Sequence, residues 1–152
     1  MEIKFPDVTE AHILELAAGM RPDDELECRQ AGYASALEAV RETVAASKEA
    51  RTCTVDGRVL AIYGVIEESV VTGRGQLWLL TTTLVDTHKK TFVTYARLAL
   101  LLMKQRWRTL IVPIGAEHRG ALRLASRFSF TRGETFPDVS TGKPFMLHSI
   151  GG

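Results

Sequence analysis

The hydrophobic rhythm of the chain changes at Arg51. Upstream, apolar residues recur every three or four positions. Downstream they alternate through Cys53 and Val55, pause at Asp56-Gly57, and resume as a run from Val59 to Ile66. An Asp-Gly pair between two such runs supplies the positive φ angles of a tight turn and predicts an antiparallel hairpin. Helical periodicity before a hairpin makes the chain α+β, with the hairpin inside its sheet.

The other elements fall around that hairpin. Glu2 to Phe5 alternates as a short strand, and Pro6-Asp7 breaks it, with Asp7 the expected helix cap and Glu10 completing a capping box. A helix follows to about Gly19. Pro22 with Asp23, Asp24 and Glu25 opens a second helix, where proline suits the first position and acids suit the dipole, and it ends near Gly32. Ser35 and Glu38 cap a third, running to about Lys48. Beyond the hairpin, Gln76 to Thr83 is a mostly apolar strand, as expected of one buried on both faces. Phe92 to Trp107 carries a continuous apolar stripe and predicts a long helix; Thr109 to Ile114 is again a strand, so the three form a parallel crossover. A helix over Glu117–Phe128 and strands near Ser129–Glu134 and Phe145–Ile150 complete a mixed sheet of about seven strands flanked by helices.

Composition narrows the function classes. At 152 residues, 45% hydrophobic and 24% charged, the chain suits a single domain, residues 1–152, with a packed core. Nineteen basic residues against 18 acidic ones leave no overall field toward nucleic acid, and no apolar stretch is long enough for a membrane span. Met1–Glu10 lacks the basic start and apolar run of a secretory signal. Cys28 and Cys53 are too few for a disulfide framework, and His12, His88, His118 and His148 are not spaced as metal ligands, so no metal is expected.

The stretch Ala121-Leu122-Arg123-Leu124-Ala125-Ser126-Arg127-Phe128-Ser129-Phe130 resembles the Ala-Leu-x-Leu-Tyr-x-Lys-x-Gly-Phe pattern of the GNAT acyl-CoA N-acyltransferase superfamily, and the element order is similar along nearly the whole chain. The resemblance implies a GNAT-like fold and a cofactor-facing turn after the fourth strand, where active members present glycine-rich backbone amides to the pyrophosphate of acyl-CoA. Here that turn is Thr83–Phe92. It contains no glycine, and Asp86, Thr87, His88, Lys89 and Lys90 are its candidate binding residues. The family's proton-donating tyrosine falls at Ala125, its helix-opening asparagine at His118 and its terminal glycine at Ser129.

A subgroup of GNAT-like proteins of tailed bacteriophages and prophages, related to an internal virion protein of short-tailed phages, is similar in more places. The shared features are Met20-Arg21-Pro22-Asp23-Asp24 with Glu27 and Gly32, Asp56-Gly57, Gly64-Val65, Trp78-Leu79-Leu80, His88 with Phe92, and the final helix. The sequence departs from it at Ile114-Gly115-Ala116-Glu117-His118, where Asp-Ala-x-Asn is usual. That resemblance implies a virion or assembly protein without ordinary acetyltransferase activity, needing no cofactor, with phage structural or assembly proteins as partners. It would lie in the bacterial host cytoplasm or packaged in the particle. The alternative is an active N-acetyltransferase using acetyl-CoA on an amine. A catalytic base would then come from Glu67, Glu68, His88 or His118.

Plainer readings stand beside these. His88 suits a local cap or loop hydrogen bond, His118 a helix cap, Trp78 a core position and Lys89-Lys90 a solvated turn. Lys104, Arg106 and Arg108 complement a helix carboxy terminus and require no nucleic acid. The sequence fixes no oligomeric state.

Overall fold

The turn at the centre of the chain forms as its residues require, with Asp56 at φ 49° and Gly57 at φ 81°. In the computed structural model, which describes residues 1–151, β2 (Glu49–Val55) and β3 (Arg58–Ser69) pair antiparallel around it. Their register shifts between Cys53 and Thr54. With β1 (Ile3–Lys4), β4 (Arg74–Thr81), β5 (Thr109–Gly115), β6 (Thr131–Pro137) and β7 (Pro144–Gly151) they build one mixed seven-stranded sheet, ordered β1-β2-β3-β4-β5-β7-β6. Only β4 and β5 pair parallel; every other neighbouring pair is antiparallel.

The helices divide between the two faces. α1 (Glu10–Gly19), α2 (Pro22–Gln30) and α3 (Ala36–Ala46) bury Ile13, Leu16, Cys28 and Val40 against Ile62, Trp78 and Leu80. On the opposite face α4 (Lys89–Arg106) buries Leu100 and Met103 against Val65 and Leu110, with Leu77 and, from the end of α5 (Arg119–Arg127), Phe128 packed at the margin. Trp78 is a core residue, as its sequence position suggests, and its indole N–H donates to Ser47 Oγ at 2.7 Å.

Several boundaries differ from expectation, each for a visible reason. The cap of α1 is Thr9, not Asp7. Thr9 accepts from His12 N–H at 3.2 Å while His12 Nδ1 accepts from Thr9 N–H, so an imidazole takes the place assigned to Glu10. Asp7 instead pairs with Arg51. Ser35 caps α3 as expected, but Glu38 reaches Ala34 N–H rather than the cap residue, and α3 ends at Ala46 instead of Lys48.

β4 ends at Thr81, and a 3-10 turn, Thr83–Thr87, precedes α4, which begins three residues before the expected Phe92. The turn places Leu84 and Val85 in a small core with Cys53, Val55 and Leu60. β6 begins at Thr131 because Ser129 closes α5 at φ 65°, with Phe130 N–H reaching back to Ala125 O. Serine thus occupies the left-handed position that glycine takes in this type of helix end.

Candidate functional site

β4 and β5 begin as a tight parallel pair and then separate. Arg74, Gly75 and Gln76 pair with Thr109, Leu110 and Ile111, and no pairing follows. At the closed end a Cβ on Gly75 would lie 2.8 Å from Trp107 Cε3 and still nearer Val65, so only glycine allows this approach. Past Gln76 the strands diverge. Backbone N–H groups that a neighbouring strand would have satisfied then need other partners.

α2 supplies them. Asp24 and Glu27, one helical turn apart, project toward the gap. Asp24 Oδ2 accepts the Thr81 N–H of β4 at 2.8 Å and the Thr81 hydroxyl at 2.6 Å. Glu27 Oε2 accepts the Gly115 N–H of β5 at 2.8 Å. Each carboxylate therefore takes a backbone donor from one of the two separated strands, and α2 spans the wide end of the opening.

His118 ties this wedge to α5. Its Nδ1 accepts the Ala121 N–H at 3.1 Å, which leaves Nε2 to carry the proton and donate to Asp24 Oδ1 at 2.5 Å. Asp24 and His118 are both buried, at 6% relative exposure each. Burial disfavours the imidazolium of His118, but the Asp24 hydrogen bond and the charges of Glu27 and Asp24 outweigh it, so its pKa lies above the ordinary 6.5. Burial raises the Glu27 carboxyl above its ordinary 4.5, against the opposing pull of His118 and the Gly115 N–H. Burial likewise holds the Cys28 thiol at about 12, so it stays protonated.

Between the separated strands lies a cavity of about 360 Å³. Its lining comes from both faces of the sheet. Tyr95, Ala96 and Leu124 line it on the α4–α5 side, and Cys28, Tyr33 and Thr43 on the α1–α3 side. The Pro137–Pro144 loop folds over the end of α2, where the Thr141 hydroxyl donates to Gln30 O.

The residues singled out from the sequence are scattered relative to this cavity. His118 lies on its wall and also caps α5. Glu67 and Glu68 are exposed at the other end of β3, with Glu68 3.7 Å from Arg74. His88 makes local bonds to the Thr87 hydroxyl and Leu84 O. Asp86 pairs with Arg21 at 3.2 Å, while Lys89 and Lys90 are exposed at the start of α4. Sequence reasoning takes Asp24 as an acid early in a helix, a partner of its dipole, and Glu27 only as part of the subgroup resemblance, so neither stands out as a site residue. The available signal was that Asp24, Glu27, Cys28 and Ala31 share one helix face, a face with a cysteine and an alanine and therefore an inward one.

Among the described residues no group of three histidine, cysteine or carboxylate side chains could hold a metal ion, and no helix is long and apolar enough to cross a membrane. Neither a family model nor a curated protein matches the sequence. Solved structures do resemble the fold. A spermidine N-acetyltransferase chimera from Vibrio cholerae and hSSAT aligns with TM-score 0.67 at 11% identity, over 99% of this chain and 95% of that one. A GNAT-family acetyltransferase from Bacillus anthracis gives 0.70 at 8% identity, over 99% and 95%. An N-acetyltransferase from Staphylococcus aureus Mu50 gives 0.64 at 10%, over 99% of both. The chain has the GNAT fold.

Proposed function

We propose that the protein is an acyl-CoA-dependent N-acyltransferase acting on an amine, with the opening between β4 and β5 as its active site. The observation that carries this is the cavity itself. Its lining is drawn from both faces of the sheet, which suits a donor from the α4–α5 side and an acceptor from the α1–α3 side meeting at a wall that holds a carboxylate of raised pKa.

The residues fit the donor in two places and depart in one. Leu77 to Leu80 have no strand partner on the β5 side, and with Tyr95, Ala96 and Leu124 they suit an amide-bearing alkyl arm. The amino terminus of α4 has no side-chain cap, and its free amides with Lys89 and Lys90 suit phosphate; Thr87 and His88 flank it. The departure is Asp86, a negative charge in a turn without glycine, partly neutralised by Arg21.

Bound acyl-CoA would supply an activated thioester. Glu27 then serves as the base that accepts a proton from the acceptor ammonium, since a raised carboxyl pKa narrows its gap from the amine. The Gly115 N–H orients that carboxylate. Asp24 fixes His118 by accepting from its Nε2. Cys28, protonated at neutral pH, is no nucleophile, so the acyl group would pass directly to the amine, the C–N bond forming as the thioester C–S bond breaks and CoA leaving as a thiolate that takes up a proton to become the thiol.

Calorimetry with acetyl-CoA, followed by thiol-release assays over a panel of amines, tests the proposal. Micromolar binding is expected, weakened in Lys89→Ala/Lys90→Ala. Glu27→Gln should lower kcat by about 10²–10⁴-fold. No binding of acetyl-CoA contradicts the reading.

A second reading has its own observation. The outer edge of β4 at Thr81 is already engaged by the chain, since Thr81 O accepts the Arg21 N–H at 3.0 Å and Thr81 N–H goes to Asp24. This leaves the end of β4 no free backbone group for a donor and so favours a GNAT-fold protein that performs no acyl transfer; the sequence resemblance to phage and prophage proteins is what would make it one that docks phage structural or assembly proteins, in the bacterial host cytoplasm or inside the particle. Mass spectrometry of purified particles, finding the chain at fixed copy number with no acetyl-CoA affinity in calorimetry, would select it.

A further inference from the structure

The formal net charge is +1, yet the charges are sorted by helix layer. α1, α2 and α3 carry two, four and two carboxylates, eight in all; Asp24 and Glu27 face the gap, which leaves six on the outside against Arg29 and Arg41. α4 and α5 carry five and three basic side chains, also eight, and no carboxylate. The two layers cover opposite faces of the sheet, since Leu77 packs under α4 while its neighbour Trp78 packs under α1–α3. On α5, Arg119, Arg123 and Arg127 recur every fourth residue and are all exposed, which makes them one stripe. The molecule is nearly neutral and strongly bipolar.

Both layers also leave leucines in water. Leu14 and Leu26 are 48% and 46% exposed on the acidic side, and Leu98, Leu101 and Leu102 are 46%, 56% and 44% exposed on the basic side. Beneath Leu98 and Leu102, α4 stands away from β2 and β3 over an open groove of about 630 Å³ floored by Ala50 and Gly64. A nucleic acid would match the basic charge but leave the leucines and the groove exposed. A second copy of this chain matches both, because its acidic layer brings carboxylates and leucines together.

We propose that copies of the protein associate head to tail, the basic α4–α5 layer of one against the acidic α1–α3 layer of the next. The two surfaces differ and lie on opposite faces, so the contact is heterologous and leaves one free surface of each kind on every pair. Association extends beyond a dimer.

Sedimentation velocity over a range of concentrations tests this. At about 0.01 M salt, where charges act over about 30 Å, the average mass should rise with concentration to at least twice 16.8 kDa. At about 1 M salt, where the range is about 3 Å, it should return toward the monomer. Two variants separate the surfaces without touching buried residues. One removes two charges and a leucine from the basic layer (Leu101→Gln, Arg123→Gln, Arg127→Gln), the other two charges and a leucine from the acidic layer (Leu14→Gln, Asp23→Asn, Glu42→Gln). Each alone should stay monomeric while keeping its circular dichroism. Mixed in equal amounts, they should form a 1:1 dimer and nothing larger, since each retains only one competent surface. A wild type that stays monomeric at low salt, a variant that still associates alone, or a mixture that does not dimerise overturns the proposal. So does a monomeric wild type that holds a labelled oligonucleotide which the basic-layer variant releases, because the basic layer is then a nucleic-acid surface.

Discussion

The two halves of the β4–β5 junction solve the same problem in opposite ways. At the closed half, strand pairing satisfies the backbone, and glycine brings the elements into contact. At the open half, pairing is given up, and the stranded donors Thr81 N–H and Gly115 N–H go to Asp24 and Glu27 of one helix. A sheet can therefore be held open without stranding polar groups, provided that carboxylates replace the missing strand. Burial in that position, against the pull of the Gly115 N–H itself, gives Glu27 the raised pKa from which a base is built.

Removing the replacement at its most buried point should cost most. Asp24→Ala leaves the Thr81 N–H, the Thr81 hydroxyl and His118 Nε2 without their acceptor, and should lower unfolding stability by roughly 3–5 kcal/mol in urea titration. If it costs under about 1 kcal/mol, the open half does not depend on the carboxylate. Next comes the closed half: Gly75→Ala forces a Cβ against Val65 and Trp107, for about 1–3 kcal/mol by the same measurement. A neutral result would mean the strands there are not held as closely as described.

The third prediction concerns pH, where both raised groups act in one direction. Glu27 keeps its proton in the folded chain after the unfolded chain has lost it at 4.5, so stability falls as pH rises from there through its raised folded value. His118 contributes stability that is complete below 6.5 and lost as pH rises through its own raised value. Wild type should thus lose stability relative to Glu27→Gln across the lower part of that window, and relative to His118→Gln across the upper part. Parallel pH curves for wild type and both variants would remove the wedge from the account. The smallest effect is Arg21→Ala, whose pair with Asp86 is partly exposed and worth at most about 1 kcal/mol, although freeing Asp86 should weaken acetyl-CoA binding further.

Sequence reasoning reached the strands on either side of the junction and missed the wedge that holds its open half. The hairpin was legible because Asp56-Gly57 demands positive φ, and the β4–α4–β5 crossover because its elements carry unmistakable periods. These are local signals. The wedge is not local: Asp24 meets Thr81 and His118 across 57 and 94 residues, and nothing in the spacing of α2 announces either partner. His118 was legible as a cap, since it stands at a helix start, but not as the partner of Asp24. Thr9 displaced Asp7 as a cap because Arg51, in a strand distant in sequence, claimed the aspartate.

The wedge is tested most directly by amide hydrogen exchange at Thr81 and Gly115, resolved residue by residue by NMR. Both N–H groups should be protected in the wild type despite lying where β4 and β5 no longer pair. In Asp24→Ala, Thr81 should lose its protection while Gly115, bonded to Glu27, keeps it. Exchange of both at the rate of unstructured amides in the wild type, or loss at both in the variant without global unfolding, would contradict the claim that α2 carboxylates individually stand in for the missing strand.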